Sequence, residues 1–175
     1  MKKTQCLQAI LCLCVLLITS CSKKEESPAS QQTTNVPEGV LKAKLNGEMK
    51  TADMIVKAVI YDNTQQVLIS GTGMEGGKVL QFSLAIGDFK GLGTYPLAIL
   101  DSRGLGTLAT YLDGKLGGYE CVVRHSDTRG EVKITEYTAG KSLKGSFKFN
   151  AKKVGVEGTG PANAEFTDGV FNIKL

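Results

Sequence analysis

Cys121, His125 and Asp127 fall within seven residues of one another. A thiol, an imidazole and a carboxylate at such spacing are the parts of a nucleophile, its base and an orienting group. The surrounding pattern argues otherwise. Cys121 shares the face of an alternating segment with Tyr119 and Val123, which turns it toward a core, and His125 sits in the polar turn Arg124-His-Ser-Asp-Thr-Arg129. The expectation is a structural cysteine beside a solvated turn. Gly71-Thr-Gly-Met-Glu-Gly76 spells GxGxxG. A dinucleotide fingerprint needs a helix next, whose N-terminus faces the pyrophosphate. Here the alternating segment 78–86 follows, so the glycines read as a hairpin connection. Asp88, Asp101, Asp113, Asp127 and Asp168 sit beside glycine or in loops, where turn chemistry accounts for them. The chain has one His, no CxxC and no DxDxDG run, so neither a His-rich zinc site nor a calcium loop is expected. No catalytic residue, metal or cofactor is assigned, and the chain is not expected to be an enzyme.

Contact chemistry is easier to place. The loops 88–93 and 101–106 carry Phe89, Lys90, Leu92, Arg103 and Leu105 among glycines. An apolar and basic mixture on loops makes a candidate contact surface. Tyr61, Tyr95, Tyr111, Tyr119 and Tyr137 would stack on sugars if exposed, but Trp is absent.

The remaining reactive group is the Cys21 thiol. The chain starts Met1-Lys2-Lys3 and continues with an apolar run over 6–20, broken by Gln8 and ending in Thr19-Ser20. That run is too short for a bilayer span of about 20 apolar residues, and has the form of a secretory signal. Ile18-Thr19-Ser20-Cys21 resembles a lipobox, with Ile where Leu is usual. The resemblance implies diacylglyceryl transfer to Cys21, cleavage before it, and N-acylation with palmitate-type chains. Cys6, Cys12 and Cys14 leave with the signal, so Cys121 remains the one free thiol. Loss of Lys2 and Lys3 leaves 19 basic against 17 acidic residues, a net charge of +2. That balance is too weak to indicate nucleic acid.

Residues 22–39 are polar, carry Pro28 and Pro37, and lack the apolar surface needed to order themselves. Such a tether spans roughly 23 Å root-mean-square. Lys23-Lys24-Glu25-Glu26, directly after Cys21, resembles the signal that sends Bacteroidota lipoproteins to the cell surface; a charge-balanced linker is the plain alternative. Ser22, in place of an inner-membrane-retaining Asp, favours the outer membrane. The leaflet, surface or periplasmic, stays open.

The elements that must position all these residues are strands. Leu41, Ala43 and Leu45 alternate with lysines, and Asn46-Gly47 offers a tight hairpin turn. Leu80, Phe82, Leu84 and Ile86 share one face; so do Val132 and Ile134, Phe147 and Phe149, and Phe171, Ile173 and Leu175. Further strands fit 55–61, 67–72, 105–112 and 119–124. One dry and one wet face per strand is the mark of stacked or closed antiparallel sheets. The fold class expected is all-β, an antiparallel β-sandwich with a flattened β-barrel as the alternative. A signal peptide helix (1–20) and a disordered tether (21–39) precede one domain over 40–175.

The order of segments resembles a family of small Bacteroidota lipoproteins whose β domain has no assigned activity. The matching pieces are Leu41-Lys-Ala-Lys-Leu-Asn-Gly47, Gly93-Thr-Tyr-Pro-Leu97, Ala109-Thr-Tyr111, Gly130-Glu-Val-Lys-Ile-Thr135, Leu143-Lys-Gly-Ser-Phe-Lys-Phe149 and Phe166-Thr-Asp-Gly-Val-Phe171. Met49 and Lys50 depart from the aromatic residue usual after the first Asn-Gly, and Lys144 replaces a usual Ser. The resemblance implies a β fold and a lipid anchor and supplies no catalytic residue. The expected function is therefore that of an outer-membrane lipoprotein that works as a non-enzymatic binding or interaction module, with an envelope protein or glycan as partner. A small-ligand carrier with an apolar barrel pocket, and a hydrolase built on loop carboxylates, are the alternatives.

Overall fold

Alternating side chains over most of the domain leave little choice but a sheet, and a computed structural model of the chain has that form. It describes residues 36–100, 104, 106–114, 117–155 and 161–175. The signal peptide, Cys21 and residues 22–35 of the tether lie outside the described residues. Twelve strands follow in order: β1 (Val40–Leu45), β2 (Glu48–Ala52), β3 (Ile55–Tyr61), β4 (Gln66–Glu75), β5 (Lys78–Ile86), β6 (Gly93–Pro96), β7 (Ile99–Leu100), β8 (Gly106–Asp113), β9 (Gly117–Cys121), β10 (Gly130–Thr138), β11 (Ser142–Gly155) and β12 (Asn163–Lys174).

The main path through the sheet is β2-β1-β12-β11-β9-β8-β5-β4-β3, with β10 on β11, β6 on β10 and β7 on β8. Every pairing is antiparallel. The long β11 makes the turn between layers, pairing with β10 through its first half and with β9 through its last residues. The sheet then curls over so that β2 packs on β4 and β12 on β3. The two faces of the expected sandwich are thus one continuous, nearly barrel-shaped sheet, and the flattened-barrel description fits the same molecule.

Two glycine signals have a different cause from the one expected. Gly71 and Gly73 lie inside β4, not in a connection; the turn is Gly76-Gly77. A Cβ on Gly73 would meet the Thr51 carbonyl oxygen at 2.3 Å, and one on Gly71 the Ala52 Cβ at 2.9 Å. These glycines let β2 close onto β4. Likewise Asp168-Gly169, expected as a turn between strands, is a bulge inside β12. Asp168 has φ 51°, and the register slips by one residue against both β1 and β11 there. The Asn46-Gly47 turn is as expected, with φ of 49° and 90° closing the β1–β2 hairpin.

The interior is filled by rings. Phe166 is fully buried and touches Phe149, Tyr111, Tyr119 and Phe82 at centroid distances of 4.3, 5.4, 6.1 and 6.2 Å. Phe147 and Phe171 extend the cluster along the barrel. Leu80, Phe82, Leu84 and Ile86 all point inward, as their alternation requires.

Candidate functional site

β1 runs from the point where the tether joins the domain to a cleft at the other end. Its first residue follows Gly39, whose N–H bonds the Asn172 carbonyl at 2.8 Å; the Asn172 amide in turn donates to the Val36 carbonyl at 2.7 Å. Its last residue, Leu45, lines a cleft of about 270 Å³ with Asn46, Glu48, Lys50, Asp113, Gly117, Gly118, Tyr119, Lys153 and Pro161. Three hairpin ends meet there.

Carboxylates converge on this end. The Lys50 ammonium, its side chain 11% exposed, contacts Glu48 and Glu75 at 2.9 Å each. Burial works against its charge, but these two carboxylates outweigh it and the pKa is raised. Burial, and then the nearby Asp113 carboxylate, push the Tyr111 and Tyr119 hydroxyls up, so both stay protonated. The Tyr119 hydroxyl donates to the Pro161 carbonyl at 3.3 Å. Chemically the cleft is a mixed floor of Leu45, Tyr119 and Pro161 under charged walls. Glu48 and Glu75 both accept from the Lys50 ammonium.

Asp113 is legible in the sequence as a turn residue, whereas Glu48, Lys50 and Glu75 are not singled out there. Glu48 and Lys50 share a face of β2 at spacing two, a local signal that was available. The reach from Lys50 to Glu75 crosses between layers, and no local pattern announces it.

The Cys121–His125–Asp127 set is not brought together. Cys121 is fully buried, whereas His125 Nε2 lies 2.7 Å from Glu120 Oε1, on the opposite face of β9. Arg124 binds the same oxygen through Nε at 2.8 Å and through its second guanidinium nitrogen. Asp127 pairs instead with Lys152 at 3.0 Å. The loop between β9 and β10 is therefore a pinned structural loop, with Thr128 Oγ1 donating to the Val122 and His125 carbonyls. Glu120 escaped the sequence reading because its burial comes from that loop folding back over it.

Two expected results follow. Burial pushes the Cys121 thiol up, more than its contacts with Thr128 and Arg129 pull it down. Since the thiolate is the reactive form, a thiol reagent should label Cys121 only as fast as the domain unfolds. Full-rate labelling of the native protein would contradict this placement. The hydrogen bond from Lys152 holds the exposed Asp127 carboxyl below its ordinary range. A depressed carboxylate favours the native state above the unfolded value, and that contribution is lost as pH falls through the folded one. Lys152→Met should move the Asp127 midpoint upward in a carbon-detected NMR titration, with little change in stability because the pair is exposed. An unmoved midpoint would mean the pair does not form in solution.

The expected contact loops are only partly presented. Phe89 is buried, 8% exposed, and packs on Tyr137 and Tyr95 at 5.1 and 5.8 Å; it anchors its loop and is not a contact residue. Lys90 is exposed and paired to Asp88 at 2.8 Å, and Leu92 is 65% exposed. Arg103 and Leu105 lie outside the described residues, as do Cys21 and Lys23, Lys24, Glu25 and Glu26. Of the five tyrosines, Tyr61 alone is open, at 43%, while Tyr111 and Tyr119 are core residues. Asp88 and Asp168 are held by Lys90 and Lys44, Asp127 pairs with Lys152, Asp113 lines the cleft, and Asp101 lies outside the described residues.

A family model described as "Domain of unknown function (DUF6252)" matches residues 37–173. The chain belongs to this family. The match spans all of the DUF6252 domain's strands as far as Ile173, both walls of the cleft included. No curated protein and no solved structure matches the chain.

Proposed function

We propose that this is an outer-membrane lipoprotein of the Bacteroidota type, anchored by acylated Cys21, whose domain is a non-enzymatic binding module of the cell envelope. One observation carries the reading: β1 separates the cleft from the tether. The domain is joined to its tether at Val36–Gly39, and the cleft opens past Leu45. Six strand residues at about 3.3 Å each put roughly 20 Å between them. A cleft so placed faces away from the anchoring surface, toward an envelope protein or glycan. A ligand carried inside the barrel has less support, because the interior is occupied by the rings around Phe166.

Photocrosslinking in cells tests this. A photoreactive residue at Asp113, in the cleft, should give discrete adducts with envelope components, and one at Asn63, in the β3–β4 turn, should give few. Equal adducts from both positions, or none from Asp113, would remove the cleft as the contact site.

A further inference from the structure

The end of the barrel that carries the tether also holds a fixed apolar tip, and we propose that this tip docks on the lipid surface to which the chain is anchored. The inference rests on the lipid-anchor reading. Fourteen residues separate Cys21 from Val36, a link that spans no more than about 50 Å even when fully extended. The domain therefore stays within reach of the bilayer, with its tethered end nearest the attachment point.

That end can be traced contact by contact. Val36 and Gly39 are pinned to Asn172 near the end of β12. The next strand, β11, begins opposite Lys174, and the β10–β11 turn holds Leu175 through the Lys141 carbonyl. Tyr137, at the end of β10, packs on Phe89 and lies against Gly91. Leu92 follows. Gly87, where the same loop starts, donates to Thr107 Oγ1, and Thr107 pairs with Ile99 of β7.

The tip is apolar by construction. Leu92, Leu100 and Ile99 are 65%, 56% and 44% exposed. A single exposed leucine on a surface needs no explanation, but this loop cannot fold it away. Phe89 is buried beneath it, its N–H bonded to the Gln65 carbonyl at 2.7 Å. The Tyr95 hydroxyl accepts from the Lys90 N–H at 3.0 Å and donates to the Gly91 carbonyl at 2.9 Å. Leu92 is thus held outward by the backbone on its N-terminal side. The exposed lysines Lys90 and Lys141 flank the tip, a mixture suited to the head-group boundary. Met54, Ile55, Met74 and Val79 are exposed too, but they lie toward the cleft end, away from the tether.

The test uses the full acylated chain in vesicles of phosphatidylethanolamine and phosphatidylglycerol. An environment-sensitive fluorophore is placed by Lys141→Cys, or at the cleft end by Lys78→Cys. Cys121 is buried and Cys21 acylated, so the label goes to the new thiol. Vesicle-bound protein should show blue-shifted emission and quenching by head-group nitroxide lipid at position 141, and neither at 78. Leu92→Asp combined with Leu100→Asp should abolish the quenching at 141 while the protein still pellets with vesicles. Pelleted protein with equal or absent quenching at both positions, or quenching at 141 that survives the aspartates, would overturn the docking. A chain that does not pellet contradicts the anchor itself, and the docking with it.

Discussion

Phe166→Ala should lower the unfolding free energy by about 3–5 kcal/mol, the range for emptying an aromatic site in a packed core. Phe166 has no solvent exposure, stacks on Phe149 at 4.3 Å, and meets three further rings from β5, β8 and β9. Those rings come from both sides of the curled sheet. They cannot collapse into the void without pulling hydrogen-bonded strands off register, so the cavity stays largely open. The loss should appear as a lower urea midpoint at unchanged slope. A midpoint shift worth under about 1 kcal/mol would mean the barrel centre is looser than the ring distances imply. Leu92→Ala is the matched control, since an exposed leucine should change stability by no more than about 0.5 kcal/mol.

Cys21→Ala should move the protein from the membrane pellet to the soluble fraction almost completely. The physical reason is the steepness of lipid anchoring. Each buried methylene contributes about 0.8 kcal/mol, so one chain binds marginally and two or three hold firmly. On the proposed reading, losing the thiol removes the site of diacylglyceryl transfer and with it the acyl anchor. Cell fractionation with an antibody reads the result. Continued pelleting of the alanine variant, washed in high salt, would locate the membrane attachment elsewhere.

Much of the fold was legible because burial and period agree. Leu80, Phe82, Leu84 and Ile86 alternate without interruption, and one register puts all four in the core. Asn46-Gly47 was legible because only a tight hairpin wants positive φ at two successive residues. The failures share a different cause. An Asp-Gly pair serves a turn and a bulge equally well, and whether the chain reverses at Asp168 is decided by the strands on either side. Gly71 and Gly73 are small because β2 presses on them from another layer. Phe89 sits in a glycine-rich loop, where sequence suggests exposure, yet Tyr95 and Tyr137 make a place for it. The cleft was the least legible part. The ion pair of its Lys50 with Glu75 is 25 residues apart and joins strands that do not share hydrogen bonds.

The most direct measurement is the mass of the N-terminal peptide of the protein extracted from membranes. The proposed anchor predicts a peptide that begins at Cys21 and carries a diacylglyceryl group, with or without a further acyl chain on its amine. A peptide that begins elsewhere, or one that begins at Cys21 with a free thiol, would contradict the anchor and with it the outward orientation of the cleft.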